Sequence, residues 1–74
     1  MKKHVNRTHA RIRAEIDRME GYAGVKTPEV AKRSGVPYST LRAHYREPER
    51  MTLGELLAWM EVCGCTEFTV RRER

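Results

Sequence analysis

Aromatic side chains are scarce in this chain: one Trp, one Phe and three Tyr make up 7% of 74 residues, beside only five Gly and three Pro. So sparse a set does not build the aromatic platform on which single-stranded RNA stacks. The two cysteines, Cys63 and Cys65, stand one residue apart, too close to staple distant segments, which argues against a disulfide-built secreted miniprotein. They also make a poor metal set with a distant histidine, because structural zinc takes four ligands in recognisable pairs. Cys63 reads better as a small buried apolar residue. The longest uninterrupted apolar run, Leu56 to Met60, falls far short of the roughly 20 residues of a membrane helix, and no apolar stretch follows the basic N-terminus. The expectation is a soluble, cytoplasmic protein with no membrane partner. No nucleophile–base–orienter set, pocketed acid pair or glycine-rich phosphate loop is present, so no enzyme, cofactor or small-molecule substrate is expected.

What is present is charge and helical period. Lys plus Arg number 15 against 10 Asp plus Glu, a formal charge of +5, and charged residues make up 34% of the chain. At this length folding buries only about 60% of the unfolded surface, which leaves room for one small domain and no deep cleft. Residues 1–7, with Lys2, Lys3 and Arg7 and no acid, read as a flexible basic arm. Thr8 offers a cap to a first helix in which Ile12, Ile16 and Met19 share one face. Gly21 to Lys26 reads as a loop. Thr27-Pro28-Glu29 is a strong helix start, with Thr27 as the capping residue, and the helix runs to Ser34. Gly35 breaks it, Val36-Pro37 turns the chain, and a third helix spans Tyr38 to Arg46 before Pro48. Thr52 caps a fourth, in which Leu53, Leu56, Leu57 and Met60 fall on one predicted apolar face. The alternation Thr66-Glu67-Phe68-Thr69-Val70 suggests a short strand, so residues 65–74 form either a tail or a dimerisation strand.

The segment 27–46, TPEVAKRSGVPYSTLRAHYR, meets the demands of two short helices in close apposition. Ala31 is small enough for a near approach, Gly35 can take positive φ, and Val36 and Leu41 anchor the turn and the second helix. With Ala31, Gly35, Val36 and Leu41 at that spacing, Ser39-Thr40-Leu41 opening the second helix and Leu53 to Gly64 following, the chain resembles the lambda-repressor and Cro-like (XRE) family of helix-turn-helix proteins. The likeness covers residues 27–64. His44 stands where that family usually buries an aliphatic residue, and is read as half-buried packing rather than a catalyst. The resemblance implies an all-α or mostly α domain of four to five helices over residues 8–64, with a short Cro-like C-terminal strand as a variant.

On a helical wheel Tyr38, Arg42 and Arg46 form a stripe bordered by Ser39 and Ala43, opposite Leu41, Thr40 and His44. If the resemblance holds, this stripe enters the major groove of double-stranded DNA: Arg42 or Arg46 bonds guanine, Tyr38 and Ser39 touch base edges or phosphates, and Ala43 meets a thymine methyl. Thr27 matches a family position that touches phosphate, with Lys26, Lys32 and Arg33 as charge partners. The plainer alternative for each arginine is a solvated surface residue. The implied function is a small phage or bacterial repressor that binds a pseudo-palindromic operator as a homodimer. Phe68 and Val70 on the tail strand are the expected dimer surface. Trp59 either packs inward beside Leu56 and Cys63 or faces the partner. A second class of function, an inhibitor or adaptor that binds protein on the same scaffold, is compatible with the fold.

Overall fold

Glycine and proline mark most of the helix ends. The computed structural model describes residues 2–68, with side chains from Thr8 onward. Helix α1 spans Lys2–Ala23, α2 Thr27–Ser34, α3 Tyr38–Arg46 and α4 Leu53–Cys63, with a 3-10 turn at Pro48–Arg50. Among the described residues there is no strand, and the architecture is all-α. Residues 66–68 are accordingly not part of the expected strand, and Val70 lies outside the described residues.

Two helix boundaries differ from expectation. Helix α1 begins at Lys2, so the backbone of residues 2–7 is helical rather than an arm. The stretch contains no Gly or Pro to stop a helix. At its other end α1 continues through Gly21 to Ala23, and Gly24 takes positive φ (69°). Helix α2 has the predicted span, but its N-cap is Lys26 and no side chain caps it. The Thr27 hydroxyl donates instead to Glu20 Oε2 at 2.7 Å. Gly35 closes α2 at φ 82°, and its N–H donates to the Ala31 carbonyl at 2.9 Å. This left-handed cap turns the chain toward α3 within three residues.

The core is small. Ile16, Met19, Val30, Leu41 and Trp59 are fully buried, and Ala31 and Cys63 nearly so. Helices α1 and α2 both pack on α4, and α2 packs on α3. Burial of Ala31 fits the close approach predicted for α2. The predicted apolar face of α4 is corrected by the structure: Leu53 is 70% and Leu57 52% exposed, while Glu55, Trp59 and Cys63 point inward. Because apolar residues surround most of this helix, Leu56 and Met60 could have shared a face with either set. Packing around Trp59 selected the inward arc.

Trp59 is also corrected as a dimer residue. Its ring is fully buried, and its indole Nε1–H donates to Glu20 Oε2 at 2.8 Å. One carboxylate oxygen of α1 therefore holds α4 through Trp59 and α2 through Thr27. A hydrogen bond to a charged group is worth about 1.5–3 kcal/mol, and an orphaned buried donor costs more than an absent pair. Glu20→Ala is expected to lower unfolding stability by about 2–3 kcal/mol in urea titrations. Trp59 emission should be blue and quencher-resistant at every protein concentration; an emission that reddens on dilution would contradict its placement.

Candidate nucleic-acid interface

Helix α3 separates its residues into two arcs. Leu41 is fully buried, and Thr40, His44 and Tyr45 are half-buried against the body of the protein. Tyr38, Ser39, Arg42, Ala43 and Arg46 are all exposed. At about 100° per residue they occupy one continuous arc of about 140°, and together they line a shallow depression formed by α3 alone. No acidic residue occurs in α3. The Arg42 guanidinium donates to the Tyr38 hydroxyl at 3.3 Å, one helical turn back. That contact engages Nη1 alone, leaving other N–H groups of the fork for a planar acceptor.

Helix α3 packs on α2 and on the 3-10 turn, and polar side chains of α1 reach its C-terminal end and that turn from behind. His9 Nε2 lies 3.1 Å from Glu49 Oε1, Arg13 donates to the Arg46 carbonyl at 3.3 Å, and the Tyr45 hydroxyl reaches both carboxylate oxygens of Asp17 at 2.9 and 3.1 Å. His9, Arg13 and Asp17 recur every fourth residue, so they form one polar stripe on α1 beside the apolar stripe of Ile12, Ile16 and Met19. Arg13 thereby meets a carbonyl in the last turn of α3, where cationic donors are favourable. On the α4 side, His44 Nδ1 lies 2.6 Å from Glu55 Oε1. Glu55 Oε2 accepts from the Thr52 hydroxyl at 3.2 Å, and the Glu55 N–H donates to Thr52 Oγ1 at 3.1 Å. His44 is thus half-buried, as expected, with a specific partner.

The α2 residues named with this face are placed differently. Lys32 is exposed on α2 and Lys26, the N-cap residue before it, is exposed as well. Arg33 pairs with Glu29 at 2.9 Å and donates to the Val62 carbonyl of α4 at 3.4 Å. Thr27 is half-buried, with its hydroxyl proton directed to Glu20. None of the four lines the depression on α3. Of the dimer residues, Phe68 is half-buried against the chain's own core and Trp59 is inside it.

Glu20, Asp17 and Glu55 escaped the sequence analysis. For Glu55 a signal existed: Thr52-Leu53-Gly54-Glu55 has the spacing of a capping box. The stripe His9, Arg13, Asp17 was legible as a period of four, but its partners on α3 and the 3-10 turn were not. Cys63 is 5% exposed and burial pushes its thiol pKa up, which makes it a packing residue rather than a nucleophile. No group of three or more His, Cys, Asp or Glu among the described residues could hold a metal ion, and no helix among them is long and apolar enough to cross a membrane. Comparison with family models, characterised proteins and solved structures returns no match.

Burial and the bond to Asp17 raise the Tyr45 phenol above its ordinary value of 10.0. The protonated phenol is therefore favoured by folding. Its contribution to stability is complete below about pH 10 and is lost as pH rises through the higher folded value. In a phenolate absorbance titration, Asp17→Asn should move one tyrosine down toward the ordinary range; an unchanged curve would contradict the contact.

Proposed function

We propose that this protein is a sequence-specific double-stranded DNA-binding transcriptional regulator, a small Cro-like repressor in which residues 27–46 act as a helix-turn-helix and α3 is the recognition helix. The observation that carries this reading is the outward arc of α3: five exposed polar, basic and small side chains, no acid, on a helix anchored by Leu41, Tyr45 and His44. A recognition helix must be rigid on its inner side and free on its outer side. The net charge of +5 favours approach to a polyanion.

In this reading Arg42 bonds guanine through the N–H groups left free by Tyr38, Ala43 contacts a thymine methyl, and Ser39 and Arg46 reach base edges or phosphates. Lys26 and Lys32 are available to phosphates on the flank. Arg33 contributes less, because its guanidinium is shared with Glu29 and the end of α4. Thr27 still offers hydroxyl lone pairs and its backbone N–H, but its hydroxyl proton is engaged. Two copies would present two recognition helices about 34 Å apart on an inverted repeat.

Selection of bound duplexes from a random library at near-physiological salt tests the reading directly. Enrichment of an inverted repeat is the expected result, and no retention of any duplex would overturn it in favour of a protein-binding module. On the selected site, Arg42→Ala should cost about 1–3 kcal/mol and relax preference at one base position. Lys32→Ala should weaken all duplexes equally and reduce the log–log salt slope by about 0.9.

A further inference from the structure

We propose that Tyr38 is a positioning residue that makes Arg42, and not Arg46, the guanine-reading arginine of α3: its hydroxyl orders the Arg42 guanidinium before DNA arrives. Tyr38 then acts on specificity through Arg42 rather than by touching a base itself. The inference rests on the DNA-binding reading above and names the residue that sets its specificity.

The pair is built by the helix. Tyr38 is 41% exposed and stands outside the core cluster, so packing does not account for it. Its hydroxyl oxygen accepts from Arg42 Nη1 at 3.3 Å. Residues four apart lie one above the other on a helix face, and long helical side chains lean toward the N-terminus. Arg42 accordingly runs back over the turn that Tyr38 opens.

Which nitrogen is engaged decides what the contact does. A guanidinium presents two parallel N–H bonds along the edge formed by Nε and Nη2, and Nη1 lies away from that edge. Tied at Nη1, Arg42 keeps the edge intact, and two parallel donors match the O6 and N7 acceptors of guanine.

Arg46 has no such support. One turn behind it stands Arg42, a like charge, and three residues behind it stands Ala43; neither side chain can accept a hydrogen bond. The bond from Arg13 fixes the Arg46 carbonyl, not its guanidinium. Ordering a long side chain on binding costs about two- to tenfold in affinity. The Tyr38 hydroxyl removes part of that cost for Arg42 and none of it for Arg46, which leaves Arg46, at the end of the helix, to the phosphates. The contact is exposed and at the long end of the hydrogen-bond range, so its effect is a few-fold one.

The test compares wild type, Tyr38→Phe, Arg42→Ala, Arg46→Ala and the double variant of Tyr38→Phe with Arg42→Ala, by fluorescence anisotropy on the selected duplex and on duplexes with each single base changed. Tyr38→Phe should leave the melting curve unchanged, because Tyr38 lies outside the core. It should reduce the preference for guanine at one position by roughly two- to tenfold, at the same position where Arg42→Ala abolishes it, and leave the other positions and the salt slope as they were. In the Arg42→Ala background Tyr38→Phe should change nothing further, since its object is gone. An equal loss on all duplexes would make Tyr38 a phosphate contact and overturn the inference. So would a Tyr38→Phe protein that binds like the wild type, additive effects in the double variant, or a guanine preference that disappears with Arg46→Ala and persists with Arg42→Ala. Each of these results leaves the DNA-binding reading standing. A wild type that retains no duplex removes that reading and the inference together.

Discussion

The rest of the structure depends on a single carboxylate. Glu20, in the last turns of α1, accepts from the Trp59 indole and from the Thr27 hydroxyl on the same oxygen, tying α1 to α4 and α2 at once. Among the described residues seven apolar side chains are buried, and apolar contact alone is a weak judge of alternative packings. A buried donor must be matched by an acceptor at one distance and direction. The Glu20 contacts therefore select one arrangement among those that hydrophobic burial would tolerate.

From that junction the polar stripe of α1 runs along the back of α3. His9, Arg13 and Asp17 meet the 3-10 turn, the end of α3 and Tyr45 in succession. Helix α3 is only nine residues long, too short to persist in isolation, so its direction is imposed by its packing on α2, by the buried Leu41 and by these polar partners together with the His44–Glu55 contact. Holding the helix from behind leaves its opposite arc without structural duties. Tyr38, Ser39, Arg42, Ala43 and Arg46 are exposed because other residues carry the packing, a division of labour that suits a surface which must present side chains to a groove.

Helix α4 shows the complementary case. One of its two glutamates, Glu55, turns inward while Glu61 stays exposed, and two of its leucines turn outward, a departure from a simple amphipathic pattern. Glu55 is tolerated inside because His44 and Thr52 satisfy it. The leucines are left outside because Trp59, much the largest side chain of the helix, claims the core, and Leu53 and Leu57 lie away from its arc.

Much of the local structure was legible in the sequence because it is settled by nearest neighbours. Gly35 ends α2, Pro48 follows the end of α3, Thr52 caps α4, and the inward and outward arcs of α3 fall out of its period. The period of Ile12, Ile16 and Met19 likewise marked the buried face of α1. At Thr27 and on α4, where the sequence misled, the deciding partner was remote. Thr27 had two roles open to its hydroxyl, and Glu20, seven residues away in sequence, took it. The face of α4 had no angular preference of its own, since a helix apolar nearly all round looks alike from every side. The chain by itself determined where α2, α3 and α4 lie and which α3 residues share a face, because short-range sterics and hydrogen bonding suffice for both. Only the tertiary structure decided that Trp59 is core, that Leu53 and Leu57 are surface and that Glu55 is held inside, because those choices turn on which donor finds which acceptor across helices far apart in sequence.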